Sequence, residues 1–364
     1  MALTNFTALT TNEKTVWSRD LWMAARNASF TMRFTGKGPN SMIQRITELT
    51  KSEKGDKAVL TLVADLEGDG VVGDYTMENN EEAIKAYDTD ITIDQLRNAN
   101  RLAGRMADQR SVVNFRSTSK DVLAYWLADR IDQMVFLTLT GVAYTKNNKD
   151  ITRAVNPLGR NLNDLAFASD VTAPSTRRWR QWDATNGLSA GNTAALVAAD
   201  TPSWKMLVET KAFMKDEYIR GIQGPGNTEF YHVFMCPQGV AQLKQDADFL
   251  ANLRNAGPRG TDNPLFSGSM ITQDGLIIHE FRHVYNSLTW GSGAVPGQAV
   301  LFCGAQALGM ADIGLPYWDE ETFDYGNQHG ISIGKIFGLL KPKFNSIYSG
   351  SAEDFGVVRV DTAL

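Results

Sequence analysis

Residues 117–145, STSKDVLAYWLADRIDQMVFLTLTGVAYT, limit what this chain can fold into more than any other stretch. Leu123, Trp126, Leu127, Ile131, Met134 and Val135 recur at three- and four-residue steps, so in a helix they share one apolar stripe. Asp121, Asp129, Arg130 and Asp132 fill much of the opposite side. Thr118 with Asp121 three residues on offers an N-cap, and Gly141 weakens the last turn. A helix of roughly 24–28 residues is about 36–42 Å long, about twice the ordinary globular length. Such a rod is either the core helix of an enzyme or the backbone of an extended, plate-like subunit. The flanking segments decide between these.

Ahead of the rod lie pieces with little core of their own. Residues 1–11 are polar, Thr-rich and expected to be extended. Residues 12–28 pattern as a helix with Val16, Trp17, Leu21, Trp22 and Ala25 on one face, and Gly36, Gly38 and Pro39 break the chain after it. Three large apolar groups on so short an arm suggest a segment that docks on its own domain or on a neighbour. Next come SMIQRITELT (a short helix or strand), the β-branched strand AVLTLVADL, the acidic loop EGDGVVGD, the acidic segment ENNEEA and the return strand AYDTDITID. Two strands around a long polar loop describe an extended β-arm that needs a partner surface. Residues 94–116 pattern as a helix with Leu96, Ala99, Leu102, Ala103 and Met106 on one side. On that reading Arg97, Arg101 and Arg105 form a basic stripe, either solvated or facing the acids Glu78, Glu81 and Glu82 of a neighbour.

After the rod, residues 146–203 read as loops and short elements. RRWRQW within them is a surface loop on this reading; the alternative is contact with phosphates or a base. SWKMLVETKAFMKDEYI reads as a helix. YHVFMC reads as a strand stopped by Pro237, which suits the first turn of the following helix. GLIIHEFRHVY, AVLFCG, GISIGKIFGLLKPKF and FGVVRVDTAL read as strands, and the last two are expected to return to a sheet made earlier.

Several function classes lose ground on composition. The formal net charge is −5 without a block of like charge, which argues against a dedicated nucleic-acid binder. Cys236 and Cys303 are the only cysteines, so there is no disulfide framework. The N-terminus lacks the basic and apolar regions of a secretory signal, and no apolar run approaches 18 residues, so no membrane span is expected.

Three motifs invite enzymatic or metal-binding readings. HEFRH, His279 to His283, matches the zinc-protease pattern, but that chemistry needs a helix. Ile277, Ile278, Val284 and Tyr285 favour a strand, where the two imidazoles stand about 13 Å apart. GDGVVG, Gly68 to Gly73, matches a dinucleotide loop, yet Glu67, Asp69 and Asp74 crowd it with negative charge. Asp65, Glu67, Asp69 and Gly70 open like a calcium loop, but Thr76 stands where the bidentate Glu belongs. No cofactor and no metal are expected. A metalloprotease-like or dinucleotide-binding enzyme is the alternative reading if HEFRH or GDGVVG is taken at face value.

The segments LEGDGVVGDYTMENNEEAIKAYD, IDQLRNANRLAGRMADQRSVVNFR and DVLAYWLADRIDQMVFLTLTGVAYT together resemble the major capsid proteins of tailed double-stranded DNA phages, in the family typified by phage N-four. YHVFMCPQGVAQLKQD and GLIIHEFRH echo it more weakly, and residues 146–200 least. The resemblance implies an α+β fold of the Hong Kong 97 type. Residues 1–40 become an N-terminal arm and 41–95 the extended E-loop. Residues 96–202 become a peripheral domain with a spine helix at 117–145, 203–320 an axial domain, and 321–364 C-terminal strands returning to the peripheral domain. The implied function is structural: self-assembly into hexamers and pentamers of an icosahedral shell around phage DNA, contacted non-specifically. Implied partners are other copies of the chain, a scaffolding protein, a portal and, as a further candidate, a decoration protein, with no membrane. The implied location is the virion capsid, assembled in the host cytoplasm. On this reading the interfacial residues are the arm anchors Trp17 and Trp22, and the acids Asp69, Asp74, Glu78, Glu81 and Glu82 facing Arg97, Arg101 and Arg105. No scaffolding segment is expected ahead of the arm, and no residue constellation in the sequence points to covalent crosslinking.

Overall fold

The long helix runs from Phe115 to Thr140, 26 residues and so about 39 Å. Thr118 lies inside it and is not its N-cap. Gly141 ends it outright. At φ +76° it takes the left-handed conformation open to glycine. Its N–H donates to the Thr138 carbonyl at 3.2 Å and the Val142 N–H to the Leu137 carbonyl at 3.0 Å, the paired bonds of a Schellman stop. The last turns, Met134 to Thr140, are buried on every side. Asp132, expected to face solvent, is buried too.

The computed structural model describes residues 29–47, 55–63, 66, 68–110, 115–154, 161–256, 271–291, 293–345 and 350–364. The helix lies across two sheets. The nine-stranded sheet runs Ile271–Gln273, Leu276–Glu280, Glu229–Met235, Val295–Cys303, Val357–Ala363, Trp179–Asp183, Gly187–Ala190. Asn286–Trp290 pairs beside Val295–Cys303, and Ile222–Gln223 beside Glu229–Met235. It therefore draws strands from both sides of the interval 203–320. Its central strands alternate between two cores. Phe234, Leu301 and Cys303 face the long helix, while Val233, Val300 and Phe302 face the helices Trp204–Asp216 and Pro237–Leu243. Pro237 opens the second of these helices, as its fixed φ favours.

The six-stranded sheet is built on Gln328–Leu340. One edge of that strand pairs with Asp94–Arg101; the other pairs first with Tyr317–Phe323 and then with Leu308–Asp312. Ile43–Ile46 and Thr35–Gly36 continue it. Residues 94–101 are thus a strand, not the start of a helix. The spacing of Leu96, Ala99 and Leu102 fits a helical face, but eight register pairs with Gln328–Leu340 hold the segment extended. The helix that follows, Arg105–Arg110, is short and buries none of its residues.

RRWRQW is also not a surface loop. Trp179–Asp183 lies within the nine-stranded sheet, beside Val357–Ala363. Arg178, 1% exposed, turns inward to Glu353 at 3.2 Å. Its charge is neutralised internally and is not offered to phosphates.

Candidate assembly surfaces

The strands Lys57–Val63 and Ala86–Thr92 form an antiparallel hairpin. Ala58, Leu60 and Leu62 alternate inward and Lys57, Val59, Thr61 and Val63 outward. Contrary to an arm with no seat, the inner face packs with Ile91 onto Ile46, Ala311 and Leu340 of the six-stranded sheet. Two glycines make room for it. A Cβ on Gly309 would stand 2.9 Å from Ile91 Cδ1, and one on Gly338 would stand 2.2 Å from the Thr92 carbonyl oxygen. The root is therefore fixed while the tip projects. Along the tip, Leu66, Val72, Tyr75, Met77 and Ile84 are all well exposed, Tyr75 at 81%. Asp69, Asp74, Glu78, Glu81 and Glu82 are exposed beside them. Glu82 accepts the Gly68 N–H at 2.6 Å and so ties the start of the GDGVVG loop to the segment that leads into the return strand Ala86–Thr92.

The second surface is where the N-terminal segment meets the body. The Asp132 carboxylate accepts from the Ser29 and Thr31 hydroxyls at 2.6 and 2.5 Å, and from the Phe30 and Thr31 N–H groups at 2.9 and 3.1 Å. Phe30 stacks on Phe281 with centroids 4.2 Å apart. Nothing in the sequence marks Asp132, because an acid beside an apolar stripe reads as solvent-facing. Trp17 and Trp22 lie outside the described residues.

The HEFRH motif divides. The strand ends at Glu280, and the chain turns at 281–284. His279 Nε2 lies 2.9 Å from His232 Nδ1, whereas His283 bonds to Asp129 at 2.7 Å. Burial holds both His232 and His279 down to about 4. Phe34 packs edge-on against both rings and Phe234 stacks on His279. This is an aromatic nest under the N-terminal segment. Among the described residues no group of three or more His, Cys, Asp or Glu is placed to hold a metal ion, and no helix is long and apolar enough to cross a membrane.

The three arginines do not form one helical stripe. Arg101 lies over the Phe323 ring at 4.1 Å and bonds to Gln328. Arg105 donates to the Gly326 carbonyl at 3.2 Å. Both brace the turn 323–328, where Asp324 and Tyr325 hold positive φ. Arg97 is exposed, and among the described residues it has no ion pair. No ion pair joins these arginines to the hairpin acids within one copy, among the described residues.

The hairpin thus combines a root fixed on its own sheet with an uncovered apolar tip. The family model described as phage capsid protein matches residues 5–364. The chain belongs to that family. A major capsid protein of Pseudomonas phage KPP25 is 55% identical, over 99% of this chain and 97% of its own length. Among solved structures, the capsid of Ralstonia phage GP4 superposes with a TM-score of 0.73 at 27% identity, covering 92% of this chain and 91% of that one. The capsid of cyanophage Pam1 superposes at 0.72 with 21% identity, covering 92% of each chain, and shares the fold. The chain is a major capsid protein with the α+β capsid fold of the Hong Kong 97 type. It is not an enzyme, it assembles into multi-subunit shells, and its place is the virion capsid.

Proposed function

We propose that copies of this chain close into an icosahedral shell of hexamers and pentamers around double-stranded phage DNA. The observation that carries this reading is the hairpin: a root seated on its own sheet and a tip whose apolar side chains are uncovered. Each such tip laid over an adjacent subunit buries a modest area, and the contacts multiply over the shell. Residues 1–40 act as the N-terminal arm, with Trp17 and Trp22 as its anchors. The hairpin within 41–95 acts as the E-loop. The long helix and the six-stranded sheet serve as the peripheral domain and the nine-stranded sheet as the axial one. This division departs from the bounds 96–202, 203–320 and 321–364, because Trp179–Asp183 and Val357–Ala363 pair within the nine-stranded sheet and Leu308–Asp312 within the six-stranded one. Asp69, Asp74, Glu78, Glu81 and Glu82 face Arg97, Arg101 and Arg105 of a neighbour. A separate scaffolding protein guides closure in the host cytoplasm, and a portal completes one vertex. A decoration protein on the outer surface is a further partner. DNA is contacted without sequence preference, in keeping with a net charge of −5.

Light scattering and negative-stain microscopy of the purified chain, alone and with its scaffolding protein, test this. Megadalton closed particles are expected. A compact monomer at high concentration under both conditions overturns it.

A further inference from the structure

A groove of about 520 Å³ opens beside the strand Asn286–Trp290, walled by Lys149, Ile151, Pro237, Arg282, Leu288 and Leu364. Its rim carries apolar side chains left in water: Leu288 is 71% exposed and Ile151 60%. The backbone puts Leu288 there. Pairing of Asn286–Trp290 with Val295–Cys303 shifts register between Ser287 and Trp290, and both Leu288 and Thr289 are exposed at the shift. We propose that this groove seats the hairpin tip of a second copy, an inference that rests on the hairpin acting between subunits.

The apolar side chains of the tip single it out as the occupant. Val72, Tyr75 and Met77 stand close together in sequence and are all exposed. The bond from the Gly68 N–H to Glu82 closes the loop beneath them, so they sit on its projecting end. Tyr75 supplies a ring with a polar edge, and Met77 a flexible thioether that adapts to an irregular wall. Within one copy the tip and the rim are both uncovered, so a contact between them joins two copies.

Charge points the same way. Lys149 is exposed and has no ion pair among the described residues. Arg282 meets Asp129 at 2.7 Å yet keeps its side chain 72% exposed. Asp150, in the same wall, adds no free negative charge. Its carboxylate pairs with Lys146 and accepts the Tyr285 and Ser287 hydroxyls at 2.7 and 2.8 Å. The rim is therefore basic. Residues 68–84 of the tip hold the acids Asp69, Asp74, Glu78, Glu81 and Glu82 and no Lys or Arg. Opposite fields steer the tip to the rim, and the apolar side chains hold it there. Lys149 and Arg282 thereby join the cations that the hairpin acids meet across the contact.

The test is a photo-crosslinker, p-benzoylphenylalanine, in place of Tyr75 in the full-length chain, which keeps an aromatic group at an exposed position. Particles assembled from equal parts of ¹⁴N- and ¹⁵N-labelled protein are irradiated. Crosslinks to residues 149–151 and 286–289 are expected, joining unlike isotopes as often as like ones. Their yield is expected to be roughly tenfold above that of the same probe in place of the exposed Tyr218. Lys149→Glu is expected to leave subunit melting unchanged and to raise the concentration needed for particles about fivefold. Closed particles whose crosslinks fall elsewhere, or join only like isotopes, overturn the docking and leave the shell reading standing. Unchanged assembly in Lys149→Glu overturns the docking too. Mixed-isotope crosslinks at the groove in open assemblies that never close sustain the docking and overturn the shell reading.

Discussion

The Ser29 hydroxyl donates to the Asp132 carboxylate at 2.6 Å, joining the start of the described chain to the middle of the long helix across 103 positions of sequence. A buried carboxylate taking four donors from three successive residues is the fastening of the segment, not an ornament on it. Asp132→Ala leaves two hydroxyls and two N–H groups without that acceptor, and residues 29–34 are expected to leave their seat. The cost to stability is about 3 kcal/mol, because water satisfies part of what is lost. Hydrogen exchange checks it: amides of 29–34 become fast while those of the nine-stranded sheet stay protected.

The His232–His279 contact sets a response to acid. Both imidazoles are held down to about 4 by burial, against an ordinary 6.5, and His232, 2.9 Å away, further opposes charge on His279. The unfolded chain takes up these protons as pH falls through 6.5; the folded chain does not until about 4. Stability from the neutral pair is therefore full above pH 6.5, declines as pH falls and levels off below 4. For two groups the slope reaches at most about 2.7 kcal/mol per pH unit. Asp129 stays out of this window, since its hydrogen bond to His283 keeps its carboxyl below the usual carboxylate range. Denaturant melts from pH 7.5 to 4 measure the decline. His232→Gln combined with His279→Gln is expected to flatten it.

Much of the architecture is legible in local pattern. Val357–Ala363 reads as a strand from its β-branched run and Pro237 marks a helix start, because each depends on neighbours in sequence, whereas Gly141 reads only as weakening a helix that it in fact ends. Asp94–Arg101 is misread because its apolar spacing fits a helix, while the strand that holds it extended, Gln328–Leu340, lies far along the chain. Trp179–Asp183 is misread for the same reason. The arginines of RRWRQW suggest solvent until Glu353, from near the C-terminus, is known to meet Arg178. Among the candidate interface residues, the hairpin acids stand on an exposed tip as expected, whereas Arg101 and Arg105 are engaged within their own subunit. Asp132 carries no local signal at all.

Gly338 is the test of the hairpin's seat. Its partner across the strand pair is Ala311, so the surface under Ile91 is nearly flat. Gly338→Val drives a side chain into the Thr92 carbonyl, 2.2 Å from where a Cβ would stand, and into Ile91 Cγ2 at 3.0 Å. Neither backbone nor buried isoleucine yields cheaply, so the hairpin lifts at a cost of about 1–3 kcal/mol. Limited proteolysis is expected to cut within 57–63 and 86–92 several times faster than in the parent chain, with the rest of the fold intact.

Arg97 and Arg101 separate a bracing role from an interfacial one. Arg101→Glu loses the contact with Phe323 and the bond to Gln328, so the subunit itself melts lower, by about 1 kcal/mol in stability. Arg97 has no ion pair to lose among the described residues, and Arg97→Glu is expected to leave subunit melting unchanged within about 0.5 kcal/mol. Its effect falls on assembly. An exposed pair is worth roughly 0–1 kcal/mol, and at the upper end the concentration needed for particles rises about fivefold. Adding Glu81→Lys to Arg97→Glu restores opposite signs between one copy's hairpin tip and the next copy's strand, and is expected to recover the particle yield. Unchanged assembly in Arg97→Glu, or no recovery in the swap, makes this position an ordinary solvated charge.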